Sequence, residues 1–311
     1  MGRVASGIAT VMATILLAGC AAAPAATPGE PVIDRDFPDP DVLLVDGTYY
    51  AYATNDSESN VQVATSTDLV TWTSLPDAFP DLPAWVEPGD TWAPDVSRVG
   101  DGYVLYFTAH SATADAQCIG VATSADPAGP FTPVGDDMLV CPVVDGGAID
   151  ASTFVDRDGT RYLLYKNDGN CCRLDTWIHL VPLSGDGLAL AGDPVQLFKQ
   201  DQAWEGDLVE APTMVVRDDR YVLFYSANRY FGGDYAIGYA TATAIEGPWT
   251  KHDGPWFTSD DTDYEIIGPG GQDVIGDTLL LHGWDIDLTY RALYTLPLEW
   301  RDGLPVTPSI D

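Results

Sequence analysis

The sequence predicts an all-β fold, a five-bladed β-propeller. A strand, a short polar turn and a second, aromatic-rich strand recur five times between Asp39 and Leu304. The second strands align on Tyr49, Tyr103, Tyr162, Tyr221 and Leu279, at spacings of 54, 59, 59 and 58 residues. Repeats of several short strands with almost no helical periodicity are typical of propeller blades. A β-sandwich also has short strands, but it would not repeat one strand–turn–strand text five times.

Each repeat divides into three or four predicted strands. The repeats open at Pro38–Val45, Trp92–Val99, Asp150, Val209–Val216 and Gly270–Gly276. Later strands follow at Val61–Ser66, Thr71–Leu75, Ile119–Val134, Trp177–Leu183, Ile237–Lys251 and Arg291–Trp300. Because no linker-like gap separates the repeats, we predict one propeller domain over residues 35–311.

The composition limits the partners of this domain. The chain has 311 residues, and 14 Lys and Arg against 47 Asp and Glu give a formal charge of −33. Charge of this sign disfavours binding to nucleic acid or to anionic membranes, so we expect a neutral partner and a monomeric protein. The acidity serves solubility or salt tolerance, or it reflects clustered calcium sites.

The N-terminus reads as an export segment. Residues 1–19 combine one basic residue, Arg3, with an apolar run. The run ends in Leu-Leu-Ala-Gly-Cys, a bacterial lipoprotein processing box, which predicts a lipoprotein signal peptide over 1–19 and lipidation of Cys20. Residues 20–34, rich in Ala and Pro, would form a tether. An uncleaved anchor is the alternative. In both cases we expect an exported, cell-surface protein that touches the membrane only through its N-terminus.

Four further cysteines form an even set, as expected in an oxidising compartment. Cys118 and Cys141 fall in successive strands of one repeat, and a disulfide between them would add about 3 kcal/mol. Cys171 and Cys172 are adjacent and either form a vicinal bridge or stay reduced. Metal binding by them is disfavoured, because no histidine or C-x-x-C pair accompanies them.

Carboxylates recur at the strands that would line the central axis. In a propeller the first strand of each blade lies there, and these strands begin with Asp39, Asp95, Asp150, Glu210 and Gln272. Four carboxylates at one mouth repel one another, which points to a functional site. Three suffice for glycoside hydrolysis: a base, an acid and a group that raises the pKa of the acid. Asp39 and Asp95 lie beside prolines and could instead shape turns.

The sequence resembles family 43 of the glycoside hydrolases, which contains β-xylosidases, α-L-arabinofuranosidases and arabinanases on five-bladed propellers. The motifs that carry the resemblance are Phe37–Asp41, Trp92–Val96, Gly146–Gly159, Val209–Pro212, Gly268–Gln272 and Leu298–Pro305. They occur in family order, one per blade, and cover nearly all of the mature chain.

The resemblance implies roles for individual residues. Asp39 would be the general base, Glu210 the general acid and Asp150 the group that modulates the pKa of the acid. Asp95 and Gln272 would line the substrate pocket, and Arg291 matches an arginine near it. Aromatic residues at the same mouth are candidates to stack on sugars: Phe37, Trp92, Trp204, Tyr230, Phe231 and Trp284.

The family hydrolyses with inversion, which implies that Asp39 and Glu210 lie roughly 6.5–9.5 Å apart with a water between base and sugar. The expected activity is release of α-L-arabinofuranosyl or β-D-xylosyl units from arabinan, arabinoxylan or xylan. An endo-arabinanase and, from another class, a non-catalytic sugar-binding propeller are the alternatives. The Gly-Gly-Gln version of the fifth motif tilts the reading weakly towards arabinose.

No cofactor is required for this chemistry, but the family often holds an axial calcium ion with help from a histidine. Many members have Gly-Pro-Gly-His where this chain has Gly268-Pro269-Gly270-Gly271-Gln272. That change puts a histidine ligand at this position in doubt. His282 on the next strand is a candidate metal ligand in its place, with a satisfied core histidine as the alternative.

Overall fold

The five-bladed β-propeller is confirmed. The computed structural model describes residues 1–2, 27 and 29–310, and five antiparallel sheets follow one another along this chain. The predicted signal peptide, Cys20 and most of the predicted tether lie outside the described residues. Within those ranges, no helix is long and apolar enough to cross a bilayer.

Four blades have four strands and the fifth has three of its own. The strands are Asp41–Val45, Thr48–Ala53, Gln62–Ser66 and Thr73–Ser74 in blade 1; Val86–Val99, Gly102–Ser111, Ala116–Ser124 and Thr132–Pro133 in blade 2; Ala148–Val155, Arg161–Asn167, Trp177–Pro182 and Val195–Lys199 in blade 3; Val209–Arg217, Arg220–Ala227, Ala236–Ala242 and Thr250–Lys251 in blade 4; and Ile267–Ile275, Thr278–Trp284 and Arg291–Pro297 in blade 5. A hairpin of Trp300–Arg301 and Leu304–Pro305 follows, and 3-10 turns occupy Val143–Asp145, Gly169–Cys172, Ala203–Glu205 and Ser259–Thr262.

The ring closes through the N-terminal segment. Ile33 pairs with Leu293 on the outer strand of blade 5, and the amide of Val32 donates to the carbonyl of Leu293 at 2.8 Å. The amide of Phe37 then donates to the carbonyl of Arg291 at 2.8 Å. The last residues of the predicted tether therefore complete the fifth blade.

The core consists of five separate apolar clusters, one in each gap between neighbouring blades. The clusters between blades 1 and 2 and between blades 4 and 5 are centred on aromatic residues. Phe79 packs against Phe107 at a ring distance of 4.7 Å in the first of these, and Phe224 packs against Trp256 at 5.2 Å in the second. Burial on both faces explains why the middle strands are almost continuously apolar.

The inner strand of every blade passes through one left-handed residue at the same position. These residues are Asp39, Ala93, Asp150, Ala211 and Gly271, with φ of 54°, 39°, 56°, 49° and 54°. In blades 2 to 5 the strand register shifts at this point, as in a β-bulge. A bulge re-aims side chains, so residues that are neighbours in sequence leave the strand in different directions.

Side chains just beyond the bulge tie each blade to the next around the axis. Asp273 accepts a hydrogen bond from the amide of Val42 at 2.9 Å, and Asp41 accepts one from the amide of Val96 at 2.9 Å. Asp95 accepts from the amide of Thr153 at 2.8 Å.

Two further ties complete the ring. Asp150 accepts from the amide of Ala211 at 2.8 Å, and the hydroxyl of Thr213 donates to the carbonyl of Gln272 at 2.7 Å. All five blade junctions thus have a side-chain hydrogen bond at the axis.

The axial carboxyls are buried together, and this raises their pKa values. Burial raises the pKa of Asp95 to about 7 against the opposing hydrogen bonds from Thr153, and burial raises the pKa of Asp273 to about 6. Burial and the charges of Asp95 and Asp273 raise the pKa of Asp41 well above its usual value. The folded state therefore keeps protons that the unfolded chain loses near pH 4, so stability decreases as pH rises through this window.

We predict that Asp273→Asn weakens this pH dependence. In the variant the amide oxygen still accepts from Val42, but the buried charge is gone. Between pH 5 and pH 8 the melting temperature of the variant should therefore fall by about 3 °C less than that of the wild type. Thermal denaturation across pH measures this. Asp115→Asn, which removes a fully exposed carboxylate, is the matched control. Equal slopes for the two variants would contradict the account.

Candidate active site

Asp39, Asp150 and Glu210 lie around one cavity of about 380 Å³. We call it the catalytic pocket. All five blades contribute to its wall, which also includes Thr54, Trp92, Ile149, Lys166, Asp168, Asn170, Cys171, Tyr230, Tyr235 and Arg291. Asp39 and Asp150 also line a smaller cavity on the axis, so they lie where the pocket meets the propeller axis.

Asp39 is held in its ionised form. Arg291 donates to Asp39 Oδ1 at 3.2 Å, and the hydroxyl of Thr54 donates to Oδ2 at 2.7 Å. Burial opposes ionisation, but Arg291, the His282 ring and Thr54 outweigh it and hold the pKa of Asp39 well below its usual range. An ionised carboxylate can accept a proton, as a general base must.

Glu210 is positioned from both sides by hydrogen-bond donors. The hydroxyl of Tyr235 donates to Oε1 at 2.8 Å, and the ammonium of Lys166 donates to Oε2 at 3.0 Å. Lys166 is itself buried and also lies 3.5 Å from Asp168. Burial disfavours its charge, but Glu210, Asp168 and Asp150 raise the pKa of Lys166, which therefore stays protonated.

Asp150 carries a proton at neutral pH. Burial first, and then the nearby Glu210, raise the pKa of Asp150 to about 8, although Lys166 opposes the shift. The sequence reading expected a charged Asp150 that keeps Glu210 protonated. In the structure Tyr235 and Lys166 donate to Glu210, and the raised pKa is that of Asp150.

The predicted sugar contacts separate into two groups. Trp92, Arg291 and Tyr230 line the catalytic pocket, and the guanidinium of Arg291 lies over the Tyr230 ring at 5.1 Å. Phe37 does not reach the pocket, because it is fully buried in the cluster between blades 5 and 1.

The other aromatic candidates also differ in exposure. Tyr230 and Phe231 are 51% and 61% exposed, whereas Trp284 is 8% exposed. Trp284 supports the other two: the Tyr230 ring stacks on it at 6.2 Å and the Phe231 ring meets it edge-on at 5.2 Å. Trp204 packs against Tyr225 at 5.9 Å and serves the core of blade 4.

Asp95 and Gln272 lie on the axis and outside the catalytic pocket. Both oxygens of Asp95 accept from Thr153. Gln272 donates to the carbonyl of Ala211 at 2.6 Å and accepts from the hydroxyl of Ser226 at 2.8 Å. The bulge explains the difference: Asp95 is equivalent to Asp41 and Asp273, two residues after the left-handed position.

His282 belongs to the surroundings of Asp39. The amide of Asp39 donates to His282 Nδ1 at 3.0 Å, and the ring stacks on Tyr235 at 5.9 Å. Burial first, and then Arg291, lower the pKa of His282. A β-carbon at Gly271 would lie 2.5 Å from His282 Nδ1. The imidazole of His282 therefore occupies the space that a side chain at position 271 would need.

The described residues show no ligand set for calcium. Carboxylate oxygens suit calcium, and Asp41, Asp95 and Asp273 instead accept hydrogen bonds from backbone amides at the axis. Across the part of the chain that the structure describes, no three His, Cys, Asp or Glu side chains are grouped as metal ligands. We therefore derive no step through calcium.

Seven pocket residues were not predicted as site residues from the sequence: Thr54, Ile149, Lys166, Asp168, Asn170, Cys171 and Tyr235. Lys166 had a signal, because a lysine directly after the apolar run 162–165 is out of place unless it pairs with a buried anion. Thr54 and Tyr235 had none, because they lie beside strands, where residues of these types are ordinary.

Both cysteine pairs are bridged, Cys118 with Cys141 and Cys171 with Cys172. Cys118 is fully buried between blades 1 and 2. Cys171 and Cys172 are exposed, and Cys171 lies on the wall of the catalytic pocket. The two disulfides therefore have different surroundings, one in the core and one beside the catalytic carboxyls.

A five-bladed propeller with Asp39, Asp150 and Glu210 around one pocket has the carboxyl groups that glycoside hydrolysis requires. Comparison with known proteins agrees. The family described as Glycosyl hydrolases family 43 matches residues 28–305, and the chain belongs to this family.

The chain is also similar to individual proteins and to solved structures. It is 30% identical over 243 residues to a β-D-galactofuranosidase of Aspergillus niger, covering 72% of this chain and 66% of that protein. It is 25% identical to the extracellular endo-α-(1→5)-L-arabinanase 1 of Bacillus subtilis, covering 86% of each. A crystal structure of a thermostable family-43 glycoside hydrolase superimposes with a TM-score of 0.75 at 29% identity, covering 87% of this chain and 92% of that one.

Replacing Lys166 by Met should move the alkaline limb of the kcat/KM profile to higher pH. Lys166 lowers the pKa of Asp150, so its loss raises the pH at which Asp150 gives up its proton, by about one pH unit. Lys166→Arg should keep the limb in place.

Lys251→Met is the matched control. Lys251 forms a buried ion pair with Glu205 at 2.7 Å, outside the pocket lining, so its loss should reduce stability without moving the limb. The account fails if the limb of the Lys166→Met enzyme is unchanged or moves to lower pH.

Proposed function

We propose that the chain is an inverting glycoside hydrolase that releases single α-L-arabinofuranosyl or β-D-xylosyl units from plant polysaccharides or their oligosaccharides. The observation that carries the proposal is that Asp39, paired with Arg291, lies in one pocket with Asp150 and Glu210. Arg291 helps to hold the pKa of Asp39 low, whereas burial raises the pKa of Asp150. A pocket with a proton acceptor and a proton source matches what hydrolysis with inversion requires.

In the proposed mechanism the sugar binds between Asp39 and Glu210. Asp39 accepts a proton from a water molecule, and the water oxygen attacks the anomeric carbon. Glu210 donates a proton to the glycosidic oxygen, which leaves with the bonding electrons. Asp150 lies in the same pocket and acts on Glu210 electrostatically. Lys166 and Tyr235 keep Glu210 directed into the pocket.

The pocket favours a single sugar. Its volume of about 380 Å³ lies near the lower end of the range for ligand sites, about 300–1,000 Å³. Trp92 and Tyr230 offer faces for the sugar ring, and Arg291 offers donors. The named relatives act on furanosides, β-D-galactofuranoside in one and α-(1→5)-L-arabinan in the other. These names support arabinofuranose over xylose.

Two other functions remain candidates. An endo-arabinanase is supported by the Bacillus subtilis relative, which bears that name. A non-catalytic cell-surface binding propeller would need only the pocket and its aromatic faces, and it would not need three carboxyls around that pocket. We further propose that the enzyme is exported as a lipoprotein through Cys20, where it meets neutral glycans outside the cytoplasm.

Substrates with different leaving groups distinguish the role of Asp39 from that of Glu210. Asp39→Ala should lose at least about a thousandfold in kcat on every substrate, because the water needs a base whatever group departs. Glu210→Ala should lose as much on an unactivated oligosaccharide but far less on an aryl glycoside, whose phenolate departs without protonation. Steady-state kinetics of both variants on both substrates measure this.

Thr258→Ala is a control for the kinetic comparison, since Thr258 caps a 3-10 turn outside the catalytic pocket. It should keep wild-type kinetics on both substrates. Full activity of Glu210→Ala on the oligosaccharide would exclude Glu210 as the acid. Equal losses for Asp39→Ala and Glu210→Ala on the aryl glycoside would contradict the division of roles.

A further inference from the structure

A second, larger cavity opens from the catalytic pocket at Glu210. Its volume is about 850 Å³, and it shares Asn170, Cys171, Glu210 and Tyr230 with the pocket. Asp39, Thr54 and Arg291 line the pocket only. Glu210 therefore lies at the junction, with Asp39 on the pocket side. We call this second cavity the disulfide cleft.

The position of the acid decides which part of a substrate enters the cleft. In an inverting reaction the base and its water lie on one face of the sugar, and the acid lies beside the departing oxygen on the other. With Asp39 in the pocket and Glu210 at the junction, the sugar to be released fills the pocket. The leaving group then extends past Glu210 into the cleft.

The vicinal disulfide reaches the wall of the cleft through Cys171. Cys171 and Cys172 end the 3-10 turn Gly169–Cys172 in blade 3, and both are exposed. The side chain of Asn167 fixes this loop by donating to the carbonyls of Asp145 at 2.9 Å and Asp175 at 3.0 Å. A bridge between adjacent cysteines closes a small, rigid and apolar ring, which offers a fixed surface to the C–H face of a sugar.

Exposed aromatic rings and a polar rim complete the cleft. Tyr230 and Phe231 rest on the buried Trp284, so their exposed faces are fixed in place. Arg229 and Asp207 form an ion pair at 3.6 Å, and both side chains are about 80% exposed. Apolar faces with polar groups at the edge are the usual composition of a carbohydrate site.

We propose that the disulfide cleft binds the leaving-group sugar and that the Cys171–Cys172 bridge determines specificity for an oligosaccharide leaving group. The inference rests on the proposed hydrolase function. The bridge contacts the sugar beyond the scissile bond, and two separate thiols or hydroxyls would not present the same rigid face. Its contribution is therefore specific to substrates that reach into the cleft.

The test compares two leaving groups on the same sugar. The substrates are α-1,5-arabinotriose and 4-nitrophenyl α-L-arabinofuranoside, with xylotriose and 4-nitrophenyl β-D-xyloside in parallel. For Cys171→Ser/Cys172→Ser, the ratio of kcat/KM on the trisaccharide to that on the aryl glycoside should fall about tenfold, mainly through KM on the trisaccharide. Phe231→Ala, on another wall, should lower the same ratio.

Val155→Ala is the control, since Val155 is 49% exposed and lies at the far end of its strand, outside both cavities. It should leave the ratio unchanged. Mild reduction of the wild type provides a second route that does not depend on the folding of the double variant. The reductant reaches the exposed Cys171–Cys172 bridge first, because Cys118 of the other bridge is buried. Reduction should lower the ratio in the same way as the double variant.

The outcomes separate the two proposals. An active wild type with an unchanged ratio in both the double variant and the reduced enzyme would overturn the cleft assignment and leave the hydrolase proposal intact. A wild type that releases sugar from none of the four substrates would contradict the hydrolase proposal, and the cleft assignment with it.

Discussion

The site depends on one backbone constraint, the left-handed residue at the same position of every inner strand. Five strands converge on the axis, and a regular strand would point alternate side chains at the same crowded space. The turn at Asp39, Ala93, Asp150, Ala211 and Gly271 separates them. Asp39 and Asp150 at this position, and Trp92 and Glu210 just before it, reach the catalytic pocket. Four residues two positions later tie the blades together at the axis: Asp41, Asp95, Thr213 and Asp273. Asp150 also makes the fifth tie. A catalytic layer and a structural layer thus arise from one short motif.

Burying so many carboxyls requires compensation, and the two layers achieve it differently. On the axis, Asp41, Asp95 and Asp273 accept backbone hydrogen bonds, and their raised pKa values follow from burial. In the pocket, cations intervene: Arg291 keeps Asp39 ionised, and Lys166 balances Glu210 and Asp168. Buried carboxyls of one fold therefore differ in pKa, and in whether a cation or a backbone amide stabilises them, according to their neighbours.

The sequence sufficed for the fold and for the three central carboxyls. Spacing of the repeats defined the blades, because each blade is one local supersecondary unit. Assignment within the inner strands was less successful: Asp95 and Gln272 were aligned with Asp39, although the bulge shifts them to the axis. For Asp95 the sequence held the answer, because Pro-Asp-Val occurs at both 40–42 and 94–96 and aligns Asp95 with Asp41. For Gln272 no such shared text exists, and the bulge itself has no distinct sequence pattern. The prediction that Phe37 contacts the sugar failed for a similar reason, because a residue beside a catalytic motif can face the core.

The central claim is that Asp39 delivers a water to one face of the sugar while Glu210 protonates the oxygen on the other. The stereochemistry of the first product tests it most directly. A proton-NMR time course with an arabino-oligosaccharide or a xylo-oligosaccharide should show the released pentose appearing first with inverted anomeric configuration, before mutarotation. Release with retained configuration would contradict the assignment of Asp39 as a base, because retention requires a covalent intermediate on a carboxylate.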